Sequence, residues 1–222
     1  MDTAGFGLIE TMRVRGGRIP FLERHLGRLE RSLRELGLRQ PSQAVAALVR
    51  PFAGTGDAVL RVEVCDGRAT VTVSEPPALD RPSPAVITAS EPHQPYPHKT
   101  TERDCFVEAA GEAEVAEADD ALLVTHEGWV AEGTTWSVFW WEGDRLQTPA
   151  LELEILPGIG QARVLELGQG EEIRARRAAL DGKSLFLVNA VRGVVPIASL
   201  DGQAVPGDLR TGKLAERFWP EG

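Results

Sequence analysis

Cysteine is scarce in this 222-residue chain: Cys65 and Cys105 stand far apart and form no CxxC pair. Such spacing supports neither a disulfide framework nor a zinc site. Basic charge is also in deficit, with 24 Lys and Arg against 33 Asp and Glu and a formal charge of −9. Nucleic acids and anionic membranes recruit basic surface, so this balance argues against both as partners. A small anionic ligand held by a few local arginines remains compatible with it. No apolar run approaches the roughly 18 residues of a membrane span. The opening "MDTAGFGLIE" lacks the basic and apolar regions of a secretion signal, so the expectation is a cytoplasmic protein. There is no internal repeat and no low-complexity tract.

What the chain does contain is ordinary for a globular protein, 42% hydrophobic and 26% charged. Its length suits one large domain or two small ones with a real core. "GLIETMRVRGGRIP" reads as a strand, a Gly16-Gly17 turn and a return strand. In "FLERHLGRLERSLRELGL", Leu22, Leu26, Leu29, Leu33 and Leu36 recur at alternating steps of four and three, an amphipathic helix closed by Gly37. "AVLRVEVCDGRATVTV" alternates on both sides of Asp66-Gly67 and reads as a hairpin.

Prolines crowd "EPPALDRPSP", so residues 76–84 read as a stiff linker between a small domain, 1–75, and a larger one, 85–222. Beyond it, "AVITAS" is a strand and Thr100 to about Glu117 a helix. "ALLVTHEGWVAEGTTWSVFWWEGDRLQTP" is a meander turning at Glu127-Gly128 and at Glu142-Gly143-Asp144. A helix starts after Pro157-Gly158, "SLFLVNAVRGVVPIASLDG" adds strands, and a last helix runs to about Trp219. The class is α+β in two unequal halves.

Four features carry chemistry. "LPGIGQARVLEL" describes a glycine-rich helix start, whose free N–H groups and dipole suit a phosphate, although an ordinary loop entering a helix looks alike. It is neither a P-loop nor a full GxGxxG fingerprint. Arg28 flanks the apolar stripe of the leucine-rich helix beside Phe21, His25 and Ser32. A guanidinium there can fork onto a phosphate or merely snorkel. Glu132 sits among Trp129, Val130, Val138 and Phe139, where a buried acid needs a partner, or else it faces water at the Gly133 turn. Lys99, in "PYPHKTTER", follows a proline-stiffened approach at the head of a helix-like run. Read alone, Lys99 is equally a solvated surface charge; together the four are the set that pyridoxal phosphate asks for, although residue types alone do not establish the combination. A lysine forms an imine with its aldehyde, a carboxylate keeps the pyridine nitrogen protonated, and arginine and helix amides hold the phosphate.

Local wording narrows this. "IETMRVRGGRIPFLERHLGRLERSLRELGL", with His25, Arg28 and Leu29, resembles the opening block of the class IV aminotransferases. "HKTTERDCF" resembles their lysine block, "DDALLVTHEGWVAEGTTWSVFWWEGDRLQTPALELEILPGI" their signature from an acidic residue to the phosphate loop, and "LFLVNAVRGVVPI" their last block, all in family order. The resemblance implies a two-domain fold type IV pyridoxal-phosphate enzyme, like D-amino acid aminotransferase, with a small N-terminal α/β domain and a larger strand-rich C-terminal one.

It further implies Lys99 as the attachment lysine, Glu132 as partner of the pyridine nitrogen, and Arg28 with the amides of Ile159 and Gly160 as phosphate ligands. Asn189 and Ala190 would close the cofactor site. Ile9, Thr11 and Arg13 share one strand face, which in the family lines the substrate pocket. Arg13 there either meets a substrate carboxylate or faces solvent. Arg103, four residues past the lysine, resembles aminodeoxychorismate lyases more than branched-chain aminotransferases, and the implied substrate is a small anionic molecule. The alternatives are an aminotransferase acting on branched-chain or D-amino acids and, more remotely, a non-catalytic dimeric protein of the same fold. The family forms homodimers, so a homodimer is expected.

Overall fold

The computed structural model describes residues 6–41, 43–54, 56–77 and 83–220. Two compact units emerge: residues 1–78 with 98–102, and residues 79–97 with 103–222. The five residues around Lys99 therefore group with the smaller unit and not with the segment 85–222. Residues 78–82, the middle of the proline-rich stretch read as a linker, lie outside the described residues. No helix among the described residues is long and apolar enough to cross a membrane.

The first unit is built on strand β1, Gly7–Val14, which pairs antiparallel with β2, Ala58–Cys65, from Gly7↔Cys65 to Val14↔Ala58. β2 turns into β3, Arg68–Ser74, through Asp66 at φ 50° and Gly67 at φ 71°. Two consecutive left-handed residues match the twist of a two-residue hairpin, as the Asp-Gly pair anticipates. Helix α1, Leu22–Glu35, lays Leu29 and Leu33 against Leu8, Met12, Val14, Leu60, Val62 and Val64. The short helix α2, Val45–Val49, closes the same core with Val45 and Val49.

The return strand expected after Gly16-Gly17 does not form. Only an isolated Arg15–Arg18 bridge follows β1. After that bridge Pro20 has no N–H to carry a ladder on, and α1 begins at Leu22. One edge of β1 is taken by β2, and at the start of the strand the other meets residues 99–101. There Ile9 N–H donates to the Lys99 carbonyl at 2.7 Å, Thr101 N–H donates to the Gly7 carbonyl at 2.9 Å, and Leu8 bridges Thr100. This pairing also shortens the helix expected from Thr100. Helix α3 runs Asp104–Val115, with Arg103 at its N-cap in a non-helical conformation, φ −140°.

The second unit contains two mixed five-stranded sheets. One comprises β4 (Ala85–Thr88), β5 (Asp120–Val124) and β6 (Val130–Gly133), extended beyond β4 by β12 (Ser199–Leu200) and β13 (Gln203–Ala204), in the order β13-β12-β4-β5-β6. The other comprises β7 (Ser137–Glu142), β8 (Arg145–Pro149), β9 (Glu171–Ile173), β10 (Leu185–Asn189) and β11 (Gly193–Pro196), in the order β11-β10-β7-β8-β9. The meander read from the sequence is thus two hairpins in different sheets. The chain crosses between them at Gly133–Trp136, where Gly133 N–H donates to the Trp136 carbonyl at 2.8 Å.

Continuous apolar runs such as Val138-Phe139-Trp140-Trp141 are buried on both faces, the pattern of a strand covered on two sides. Val86, Leu122 and Val130 from the first sheet share one core with Val138, Trp140, Leu185 and Leu187 from the second. On the first sheet's other side, Cys105, Phe106, Ala109 and Ala113 of α3 pack on Ala121 and Leu123. Helices α4, Ile159–Gly168, and α5, Leu209–Phe218, complete the unit near where the sequence placed them.

Candidate active site

Lys99 lies in the first unit, on the segment paired to β1. Its bracing differs from a helix start: the backbone of its segment is held by Ile9 and Gly7, and the preceding His98 anchors on α1, with Nδ1 3.0 Å from Ser32 Oγ. Arg28 is buried on α1 and forks onto one carboxylate, Nε to Glu10 Oε1 at 2.8 Å and one terminal nitrogen to Oε2 at 2.7 Å. His25 Nδ1 reaches the same Oε2 at 2.6 Å. Strand and helix periods produce this meeting. Glu10 falls on the Leu8/Met12 face of β1, which α1 covers, while His25, Arg28 and Ser32 share one stripe of α1.

Burial alone would raise the Glu10 carboxyl. Arg28 and then His25 overcome it and hold the pKa down to about 2. His25 is pushed below its ordinary value chiefly by burial, against the pull of Glu10, with Arg28 and Lys99 adding like charge. It is therefore a neutral imidazole whose Nδ1–H donates to Glu10. Its Nε2 has no hydrogen-bond partner among the described residues. Nε and one terminal nitrogen of Arg28 are thus engaged by Glu10.

Ile9, Thr11 and Arg13 lie on the other face of β1, with Ile9 buried and the other two partly so. Arg13 is paired with Asp57 at 2.6 Å, and Asp57 also accepts from Gly16 N–H at 3.2 Å. The Gly16 amide and then Arg13 hold the Asp57 carboxyl below the usual range.

The second unit carries the remaining candidates. Glu132 is the penultimate residue of β6 and is buried. Its Oε1 accepts from His93 Nε2 at 3.1 Å and from Leu156 N–H at 3.0 Å. Among the described residues no hydrogen bond falls on Oε2. The Leu156 bond ties Glu132 to the approach of α4, so two motifs that the sequence kept apart meet here.

At that helix start Gly158 is the N-cap, with no side chain to satisfy the first-turn amides. A Cβ on Gly158 would stand 2.6 Å from Ser137 Oγ, and one on Gly160 2.7 Å from Val188 Cγ1 and 3.1 Å from the Asn189 backbone. Glycine is thus what lets α4 begin against the end of β10. Gln161 folds back over the helix start, donating to the Pro149 carbonyl at 3.3 Å. Asn189 Oδ1 accepts from Val191 and Arg192 N–H, shaping the turn that contains Ala190. Its Nδ2 donates to the Thr135 carbonyl at 3.4 Å.

Arg103 stacks over Phe106 at 4.8 Å and donates to the Thr134 carbonyl at 2.6 Å and to Tyr96 Oη at 3.3 Å. Asp120 grips the same turn from within, Oδ1 accepting from Thr134 N–H at 3.1 Å and Oγ1–H at 2.6 Å. Burial raises the Asp120 carboxyl despite these bonds. Three side chains escaped sequence reasoning: Glu10, His93 and Asp120. Each acts through a long-range partner, and no local spacing announces it.

A buried carboxylate with one oxygen satisfied and the other unclaimed suits a protonated ring nitrogen. Beside it, a bare helix start suits a phosphate. This donor set fits pyridoxal phosphate. The match to known proteins agrees: residues 7–200 match the amino-transferase class IV family, to which this chain belongs. It is a pyridoxal-phosphate-dependent enzyme of fold type IV.

Among relatives, a bifunctional aminodeoxychorismate lyase / D-amino acid transaminase from Mycobacterium tuberculosis is 30% identical over 91% of this chain and 84% of its own length. An aminodeoxychorismate lyase from Vibrio harveyi is 28% identical over 54% of this chain and 47% of its own length. The solved branched-chain aminotransferase of Thermoproteus uzoniensis superimposes with a TM-score of 0.87 at 25% identity, over 96% of this chain and 84% of that one.

Proposed function

We propose that this chain is a 4-amino-4-deoxychorismate lyase, yielding 4-aminobenzoate and pyruvate in folate synthesis, and that it acts as a cytoplasmic homodimer. The observation that carries this reading is Arg103, four residues past Lys99 and stacked on Phe106. It bonds the Thr134 carbonyl, two residues beyond Glu132, and so sets a cation beside the Glu132 turn. The lyase names among the relatives support it. The reaction balances without a co-reactant, because the two products together have the composition of the substrate.

Lys99 would be the attachment residue and, with its amine free, the base that would take the substrate's ring proton and give it to the departing enol carbon. When bound, pyridoxal phosphate supplies an electron sink for that proton transfer. Glu132 would serve the ring nitrogen, the amides of Ile159 and Gly160 would hold the phosphate, a role the resemblance also gives to Arg28, and Asn189 and Ala190 would close the cofactor site. Ile9, Thr11 and Arg13 would line the substrate pocket, and Arg103 would supply a cation for a substrate carboxylate.

The purified protein is expected to be yellow, with the colour lost in Lys99→Ala. It is expected to release pyruvate from aminodeoxychorismate with no keto acid added, and to elute as a dimer in size-exclusion chromatography. Amino transfer that requires a keto acid, with no pyruvate release, would instead assign a transaminase of branched-chain or D-amino acids. The pairing of both activities in the name of one relative favours that as the second reading.

A further inference from the structure

Glu132 has a specific geometric problem. A carboxylate that is to serve a ring nitrogen must stay ionised while buried, and must present one oxygen in a fixed direction. Both of its donors fall on the same oxygen, Oε1: the Leu156 N–H at 3.0 Å and His93 Nε2 at 3.1 Å. The amide donor belongs to the backbone and is invariant to side-chain substitution. The imidazole is the adjustable one.

His93 is itself closely placed. Its side chain is 1% exposed, its backbone N–H donates to the Val124 carbonyl at 2.7 Å, and its ring meets the edge of Phe106 at 5.9 Å and 79°. Phe106 in turn lies beneath Arg103. An ionised Glu132 can only accept, so Nε2 carries the hydrogen of this contact. Two donors on one oxygen leave the carboxyl group little torsional freedom, and Oε2 is the atom left to face a ligand.

We propose that His93 is a positioning residue that orients Glu132 so that Oε2 meets the ring nitrogen of the cofactor, setting both the strength of that contact and the cofactor's electronic state. This rests on the assignment of Glu132 as the ring-nitrogen partner. His93 does not touch the cofactor. Its influence passes through one charge-assisted hydrogen bond, the kind of outer contact whose loss weakens a bound group roughly 10- to 100-fold where it orients a primary ligand.

The test compares His93→Leu, His93→Gln and Glu132→Gln in the full chain. Pyridoxal phosphate affinity is measured by dialysis, the visible absorption of the loaded protein is recorded, and the melting temperature is taken without cofactor. His93→Leu is expected to weaken pyridoxal phosphate binding about tenfold and to move or diminish the visible band, with the cofactor-free melting temperature close to wild type. His93→Gln, which keeps a donor, is expected to restore most of both.

A His93→Leu protein with wild-type affinity and spectrum, alongside an impaired Glu132→Gln, overturns this inference alone. Equal damage in His93→Leu and His93→Gln, matched by a fall in the cofactor-free melting temperature, overturns it in favour of a purely structural role. An unaltered Glu132→Gln overturns both the inference and the assignment beneath it.

Discussion

Replacing Glu10 by Gln keeps the shape of the side chain and removes its charge from the centre of the first unit, where Glu10 is 1% and Arg28 6% exposed. The fall of the Glu10 pKa from 4.5 to about 2 corresponds to about 3 kcal/mol of folding stability at neutral pH. An independent route agrees: removing one partner of a buried ion pair, leaving the other charge uncompensated, costs about 3–5 kcal/mol. Urea unfolding of the cofactor-free protein at pH 7 is therefore expected to show a loss of about 3 kcal/mol.

The pH dependence has a definite sign. A carboxyl whose folded pKa is depressed contributes fully above its unfolded value of 4.5, and that contribution disappears as pH falls through about 2. The gap between wild type and Glu10→Gln should therefore be constant from pH 7 to about 5 and narrow toward pH 2–3. His25, also depressed, adds acid destabilisation in both proteins as pH drops below the imidazole's ordinary range, because the unfolded chain takes that proton first. Adding Arg28→Met to Glu10→Gln should recover part of the loss by removing the uncompensated guanidinium. A Glu10→Gln protein within about 1 kcal/mol of wild type at pH 7, or a gap that stays constant down to pH 3, would refute the reasoning.

Gly160→Ala places a methyl 2.7 Å from Val188 Cγ1 and 3.1 Å from the Asn189 backbone. It should cost about 1–3 kcal/mol and weaken pyridoxal phosphate binding by displacing the start of α4. Unchanged affinity in equilibrium dialysis would show that the close approach is dispensable. Asp120→Asn keeps the oxygen that accepts from Thr134 and removes a charge that burial disfavours. Because the folded pKa is raised, ionisation subtracts stability above about pH 4, so thermal melts at pH 7 should find the variant as stable as wild type or more so. Asp120→Ala, which abandons the bonds to Thr134 and Ala121, should lose about 1–3 kcal/mol.

Local pattern carries far in this protein. The leucine steps of α1, the Asp66-Gly67 turn and the Pro157-Gly158 entry to α4 each encode their structure within a few residues, and each formed near its expected place. A return strand after Gly16-Gly17 and a helix from Thr100 were both locally reasonable. The return strand stopped at the Arg15–Arg18 bridge, where Pro20 and the start of α1 follow. The helix lost its first turn to pairing between residues 7–9 and 99–101, some 90 positions apart in the chain. The meander broke for a similar reason: turn residues mark where a chain reverses, while sheet membership depends on which strands lie alongside.

The same division runs through the site. The sequence alone determined the residue types, the order of the blocks and the glycine-rich helix start, because motif wording and 3.6-residue periodicity are properties of contiguous chain. Only the tertiary structure decided what those residues touch. Glu10 meets Arg28 because a strand face and a helix stripe coincide. Glu132 gains His93 from 39 positions away. Buried charge is tolerable only with such partners, and in this chain the partners are brought by folding.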